Sequence, residues 1–305
     1  MKKRISVLLV LVLLAFSAGC TGSREPSAQI AATTLPVYTF TSRLCEGTGL
    51  SVTRLVTEKI SCLHDYTLQV SQMKAIEASD TVVISGAGLE SFLTDALCSA
   101  DDIIDASENI PLLKGGHHHH HEEGHEEAEE HEESHAGHHH EHDPHIWLAP
   151  ENAILMSGNI CQGLSARYPE HTDTFEKNLK GLVKDLQDLQ EYGEQQLADL
   201  SCRDLITFHD GFSYFAQAFD LHILKSIEEE AGSEASAKDL IELITLAEEH
   251  HLPAVFTEAN GSVSAANVLS VEVGCKLCTL SMAMSGDDYF AAMYQNIDTI
   301  KEALG

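Results

Sequence analysis

Short apolar runs rich in β-branched residues alternate with longer helical patterns along most of this chain. The first half contains QIAATTL, SVTRLV and TVVIS, with helical patterns near 37–46 and 68–78 between them. The second half repeats the alternation with RDLITF, LHILKS, LPAVFTE and GCKLCTL, with helical patterns near 211–219 and 239–249 and a last helix that ends at 304. Strands that form continuous apolar runs are typical of parallel sheets covered by helices on both faces. The pattern therefore predicts an α/β protein with one parallel sheet in each half.

The segment between the two halves has the pattern of an unusually long helix. Apolar side chains recur there near helical spacing, at Phe175, Leu179, Leu182, Leu186, Leu189 and Leu197. A helix of roughly thirty residues is about 45 Å long, enough to run along two lobes and join them. One hydrophobic core rarely serves a chain of 305 residues. We therefore predict an N-terminal lobe over 29–168, a linking helix over 169–200 and a C-terminal lobe over 201–305.

The beginning of the chain has the order of a signal peptide. Basic residues at 2–4 precede an uncharged apolar run over 5–16 and three small residues at 17–19. We expect residues 1–19 to be removed on export, because this run is too short to span a bilayer permanently. The small residues directly before Cys20 resemble the lipobox of bacterial lipoproteins, which implies that this cysteine is lipidated. Residues 20–28 would then tether the protein to the outer face of the cell membrane.

Charge and cysteine content narrow the classes of function. Acidic side chains outnumber basic ones by 48 to 18, and the formal net charge of −30 repels nucleic acid and attracts cations. Nucleic-acid binding is therefore excluded. Without Cys20 the chain has seven of its eight cysteines, an odd number, so at least one stays free or pairs with another molecule. In the CKLC motif, Cys275 and Cys278 either pack in the sheet or give one partner to a disulfide with Cys202.

Three histidines lie near the ends of predicted strands. They are His64 in SCLHDY, His145 in DPHIWLAP and His209 in LITFHDGFSYF. Taken singly, each could be an ordinary surface or core histidine. Ligands of parallel sheets lie beyond the carboxyl ends of the strands, so the three together favour one shared metal site. Imidazole suits zinc, whereas manganese prefers more oxygen ligands. Asp65 and Asp210 follow two of these histidines directly, although the sequence alone does not show that they orient the rings.

Four stretches resemble the zinc/manganese solute-binding proteins of bacterial ABC importers, in particular the high-affinity zinc-uptake type. They are LHDYTLQVSQMKAIEASDTVVISGAGLESFL, DPHIWLAP, TFHDGFSYFAQAFDL and GDDYFAAMYQNIDTIKEAL, in the order of the family's motifs. The resemblance implies two Rossmann-like lobes joined by one long linking helix, with the metal in the cleft between them. It also implies that His64, His145 and His209 bind Zn²⁺, which a membrane permease and its ATPase then take up. We further expect a monomer that catalyses nothing.

The resemblance leaves the fourth ligand open. The family often has a carboxylate just after the last strand, but here CTLSMAMSGDD has Ser281 where the aspartate is expected. The fourth position would be water, a loop residue such as Asp287, or Glu258 at the end of AVFTE; for Glu258 we favour a structural role. An open position is also typical of catalytic zinc, so an exported zinc hydrolase is one alternative, although no His-Glu-x-x-His or GxSxG motif is present. A manganese- or iron-selective binding protein is the other.

A histidine- and glutamate-rich segment separates the first half from DPHIWLAP. Residues 117–142 include neither aromatic nor β-branched side chains, so we expect a disordered loop. Its histidines recur four apart in two trios: His117, His121 and His125, then His131, His135 and His139. In a transient helix each trio shares one face and could bind Zn²⁺ weakly. The loop is interpreted as an auxiliary zinc collector, with a solvated insertion of no function as the alternative.

Overall fold

The computed structural model describes residues 30–60, 63, 66–97, 102–115, 142–228, 235–259 and 263–305. The predicted signal peptide, Cys20, His64 and the six loop histidines lie outside these ranges. No described helix is long and apolar enough to cross a membrane.

The first sheet consists of four parallel strands near the start of the chain. They are β1 (Ile30–Ala32), β2 (Val52–Arg54), β3 (Thr81–Ile84) and β4 (Ile103–Asp105), in the order β2-β1-β3-β4. The helices of this part of the chain are α1 (Leu35–Cys45), α2 (Val70–Ala78), α3 (Thr94–Leu97) and α4 (Pro150–Arg167). The pattern in the sequence predicted the first three strands but neither β4 nor the four-residue α3.

The second sheet repeats the arrangement. Its parallel strands are β5 (Asp204–His209), β6 (His222–Glu228), β7 (Ala254–Glu258) and β8 (Lys276–Leu280), in the order β6-β5-β7-β8. The helices are α6 (Ser213–Ala218), α7 (Ala237–Glu249), α8 (Ser264–Val273) and α9 (Tyr289–Leu304). The predicted fold class of two parallel α/β lobes is confirmed, and α8 is the one longer helix that the sequence did not indicate.

A 25-residue helix, α5 (Thr172–Gln196), lies between the two sheets in the chain. It is about 37 Å long at 1.5 Å per residue. It packs against α1 and α4, which precede it in the chain, and against α9, which follows it. One face is buried, including Phe175, Leu182, Leu186 and Leu189 as predicted. The linking helix is therefore confirmed, although a separate turn of 3-10 helix (Pro169–His171) precedes it. The lobe boundaries at 168 and 201 remain predictions.

The largest apolar cluster is shared between the two lobes. It runs from Ile30 and Phe40 in the first lobe, through Phe175 of α5, to Phe215 and Tyr289 in the second. The strand residues that alternate with those of this cluster point to the opposite face of each sheet, where they form a smaller apolar cluster in each lobe. The two lobes therefore pack against each other through a common core as well as being joined by α5.

Candidate metal centre

His145 lies just before a turn of 3-10 helix (Ile146–Leu148) and is 1% exposed. Its ring Nδ1 is 2.8 Å from Asp143 Oδ1, and its main-chain N–H donates to the same oxygen at 2.9 Å. A carboxylate oxygen accepts hydrogen bonds, so Nδ1 carries the ring proton and the lone pair of a neutral ring is on Nε2. Among the described residues, Nε2 of His145 has no hydrogen-bond partner. The ring is thus held in the tautomer that binds a metal through Nε2.

His209 is the last residue of β5 and is also 1% exposed. The centroids of the His145 and His209 rings are 5.2 Å apart, with an angle of 86° between the ring planes. The two residues are 64 positions apart in the chain and come from different halves of the fold. Of the three histidines predicted to share a site, the structure therefore brings these two together.

Gly211 provides the space beside the two rings. A Cβ atom added to this glycine would lie 2.8 Å from His209 Cδ2 and 3.1 Å from His145 Cε1. It would also lie 2.5 Å from the terminal methyl carbon, Cε, of Met282. The glycine is thus required by the close approach of three side chains, and its backbone is not in the left-handed region.

Glu258 ends β7, the strand next to β5, and is 4% exposed. Thr207 of β5 pairs with Phe256 of β7, and His209 and Glu258 each lie two residues further along. Their side chains therefore leave neighbouring parallel strands at the same sheet edge. This position is compatible with the ligand role and with the structural role considered for Glu258.

Ser281, at the position where a carboxylate was expected, forms a turn. Its Oγ accepts a hydrogen bond from the Ala283 N–H at 3.1 Å, and its main-chain N–H donates to Asn296 Oδ1 at 2.8 Å. Asn296 returns a bond to the Ser281 carbonyl at 2.7 Å. Asp287 is exposed at the entry to α9. The structure instead places Met282 beside the imidazoles.

Two aromatic residues near His145 form hydrogen bonds between the two halves of the fold. The Trp147 ring is 5.5 Å from the His145 ring, and its Nε1–H donates to the Met282 carbonyl at 2.7 Å. Tyr214 of α6 donates its hydroxyl to the Asp143 carbonyl at 3.0 Å and accepts from the Leu113 N–H at 2.9 Å. Burial raises the pKa of Tyr214 to about 12, so this hydroxyl stays protonated over the physiological range. Trp147 is fully buried.

Residues 30–303 match the family described as zinc-uptake complex component A, periplasmic. The chain belongs to this family. It is 30% identical to the zinc-binding lipoprotein AdcA of Streptococcus pneumoniae over 98% of its own length, but it spans only 61% of that relative. The Zn(II)-bound ZnuA-like domain of the same AdcA superposes with a TM-score of 0.72 at 27% identity, covering 90% of this chain and 98% of that domain. The metal-dependent lipoprotein YcdH of Bacillus subtilis gives 0.72 at 25% identity, with 90% and 98% covered.

The described residues contain only part of the candidate metal site of this family member. Within the described ranges, which omit His64 and the loop, no three His, Cys, Asp or Glu side chains come together as a metal-binding group. Its described site therefore consists of two imidazoles, the carboxylate that holds one of them, and the neighbouring groups. The CKLC cysteines lie away from it, and Cys202, Cys275 and Cys278 are all free thiols.

Two functional positions of this family member were missed from the sequence. Asp143 holds the His145 ring, but it was not among the aspartates named from the sequence, because those directly follow a histidine. Asp210 accepts a hydrogen bond from Ser226 Oγ at 3.2 Å. The available signal was the spacing in DPH, which puts a carboxylate two residues before the imidazole. Gly211 was also overlooked, and only the tertiary contacts reveal why it is small.

Proposed function

We propose that this protein captures Zn²⁺ in the cleft between its lobes and presents it to an ABC importer. The observation that carries the proposal is the buried His145 ring, which Asp143 holds with Nε2 directed away from the carboxylate and beside His209. Imidazole nitrogens bind zinc readily, and a carboxylate on the second ring nitrogen increases the basicity of the ligand. The names of the zinc-binding relatives support the same cation.

In this proposal His64, His145 and His209 are the three protein ligands. His64 is included on the basis of its sequence motif, LHDY, because it lies outside the described residues. Glu258 is a further candidate at the neighbouring strand end, where we favour a structural role for its buried carboxylate. A net charge of −30 raises the concentration of divalent cations around the cleft.

The cellular setting is proposed on the same basis. Lipidation of Cys20 would anchor the protein to the outer face of the membrane, as the lipoprotein names of the relatives suggest. A membrane permease and its ATPase would receive the ion from a monomeric donor. The protein would bind and release its ion without catalysing a reaction.

The deciding experiment is a competition titration of the purified protein with Zn²⁺, Mn²⁺ and Fe²⁺. We expect one tight Zn²⁺ site that either H145A or H209A weakens by more than about 100-fold, the upper end of the effect of outer-shell partners. The matched control is H250A, because His250 contacts Asp204 through Nδ1 at 2.8 Å on the surface. Tight Mn²⁺ or Fe²⁺ binding that zinc does not displace would indicate the manganese/iron alternative. Hydrolytic turnover that H209A abolishes would indicate the hydrolase.

Zinc binding should also weaken in acid. An imidazole must be neutral to bind a metal, and histidine ordinarily has a pKa of about 6.5. Zn²⁺ affinity measured by competition should therefore fall steeply from pH 7.5 to 5.5. An affinity that stays constant over this interval would rule out a site made mainly of histidines.

The proposal for residues 117–142 is that they collect zinc at low affinity near the cleft. The ends of this segment are close together, since Lys114 and His142 form an antiparallel bridge and the Asp143 N–H donates to the Leu113 carbonyl at 3.0 Å. Replacing 116–141 by two glycines gives, with Gly115, a three-residue hairpin connection. This variant should lose the weak zinc sites and keep the tight one. Loss of the tight site would show that the loop itself supplies an essential ligand.

A further inference from the structure

The side chain of Met282 ends near both imidazoles of the proposed zinc site. Met282 follows β8 by two residues and is 4% exposed. The point where a Gly211 Cβ would lie is 2.5 Å from Met282 Cε, 2.8 Å from His209 Cδ2 and 3.1 Å from His145 Cε1. These three groups therefore surround a single small space, and the methionine sulfur is one bond away from Cε.

The backbone around Met282 is held by several contacts. Trp147 Nε1–H donates to the Met282 carbonyl at 2.7 Å. The next residue, Ala283, has a φ of 51°, in the left-handed region that alanine rarely adopts, and its N–H is bound by Ser281 Oγ. A strained conformation of this kind persists only where the surroundings enforce it. The Ser281 hydroxyl is thus engaged within the turn, while the end of the Met282 side chain lies near the imidazoles.

A thioether differs chemically from the carboxylate expected after the last strand. It is uncharged, polarizable and soft, and soft sulfur ligands favour Zn²⁺ and above all Cu(I). Oxygen ligands favour Mn²⁺ and other hard cations. A site with two or three imidazoles and a thioether would therefore exclude Mn²⁺ and accept a thiophilic ion.

We propose that the Met282 thioether is a ligand of the bound cation and makes this site selective for thiophilic ions, Cu(I) as well as Zn²⁺. The inference rests on the proposed function, because it assigns a further group to the same site. The ordinary alternative is that Met282 only fills space against Trp147 and the two rings.

The direct test uses protein labelled with ¹³C in the methionine methyl groups and titrated with Zn²⁺, with Cu(I) under anaerobic conditions, and with Mn²⁺. The Met282 signal is assigned from M282L and the neighbouring signal from M284L. Met284 is the matched control, since it is fully buried in the same turn. We expect the Met282 methyl to shift with one equivalent of Cu(I) or Zn²⁺ and to shift more than that of Met284.

Competition titrations of the variants provide the second readout. M282L, a swap that conserves volume, should weaken Cu(I) binding by at least tenfold, and M284L by less than twofold. M282D should strengthen Mn²⁺ binding by at least tenfold, because it adds an oxygen ligand. The inference is wrong if the Met282 methyl does not move on binding, or if M282L binds Cu(I) as tightly as the wild type. Failure of the wild-type protein to bind Zn²⁺ would instead overturn the proposed function and this inference together.

Discussion

Removal of the Asp143 carboxylate should weaken zinc binding strongly although Asp143 is not a proposed ligand. Its Oδ1 accepts both the ring Nδ1–H and the main-chain N–H of His145, at 2.8 and 2.9 Å, and the side chain is 5% exposed. In D143A the His145 ring can rotate and its preferred tautomer is lost. Outer-shell partners of this kind typically contribute 10- to 100-fold to metal affinity. We expect a loss of that size for D143A, or about 1.4 to 2.7 kcal/mol.

The isosteric variant D143N separates geometry from charge. Its amide oxygen can still accept both hydrogen bonds, but the ring loses the negative charge that increases its basicity. We expect a loss of roughly tenfold for D143N, between the wild type and D143A. D143A should also lower the free energy of unfolding by about 1 to 3 kcal/mol, because a buried Nδ1–H is left without an acceptor.

Zinc affinity is measured by competition with a chromophoric chelator at pH 7.5, and the free energy of unfolding by urea denaturation. The control is D204A, because Asp204 makes the same kind of contact with His250 at 2.8 Å and with His222 at 3.3 Å. Asp204 begins β5 and His209 ends it, which separates them by about 16 Å. D204A should change zinc affinity by less than about twofold. Folded D143A with unchanged affinity, or an equal loss in D204A, would refute the reasoning.

Two further predictions concern the space beside the imidazoles and a buried carboxyl group of the first lobe. G211A should weaken zinc binding at least tenfold and lower the free energy of unfolding by about 1 to 3 kcal/mol through overpacking. G158A in α4, where an added Cβ meets nothing within 4 Å, should instead stabilise the helix by roughly 0.5 to 1 kcal/mol; equal effects would contradict the contact argument. Burial raises the pKa of Glu90 to about 7, so the folded state binds an extra proton between about pH 4.5 and 7 and wild-type stability falls as pH rises through this window. In urea denaturation, E90Q should therefore gain roughly 2 to 3 kcal/mol relative to the wild type from pH 5 to 8; a difference independent of pH would show that Glu90 does not titrate there.

The fold could be predicted from the sequence because parallel strands and long amphipathic helices have regular local patterns. TVVIS corresponds to β3, LPAVFTE to β7, and the leucine spacing of α5 to its buried face. Ile103–Asp105 was not predicted because its two isoleucines lie between acidic residues, whereas the equally short β1 is part of the longer run QIAATTL. The helix over Ser264–Val273 has little contrast between its faces, since Val268 and Val271 are exposed.

The candidate site was predicted in part for the same reason. His209 ends an apolar strand and His145 directly precedes the apolar segment IWLAP, so both were recognisable as candidates from the sequence. The two residues are 64 positions apart in the chain, and the 5.2 Å between their ring centroids depends on how the two lobes pack on a shared core. That packing involves buried contacts such as the bond from Trp147 to the Met282 carbonyl, for which local spacing contains no signal.

By itself, the sequence determined the two parallel α/β lobes, the long helix between them and the candidate histidines, because these follow from residue periodicity and motif order. Tertiary structure alone decided which neighbours those histidines have. Asp143 was identified by two hydrogen bonds, Gly211 by the lack of room for a Cβ, and Met282 by the position of its terminal methyl group beside the same point. Side-chain position beside this point is set by contacts between segments distant in the chain, which is why only the folded structure could specify it.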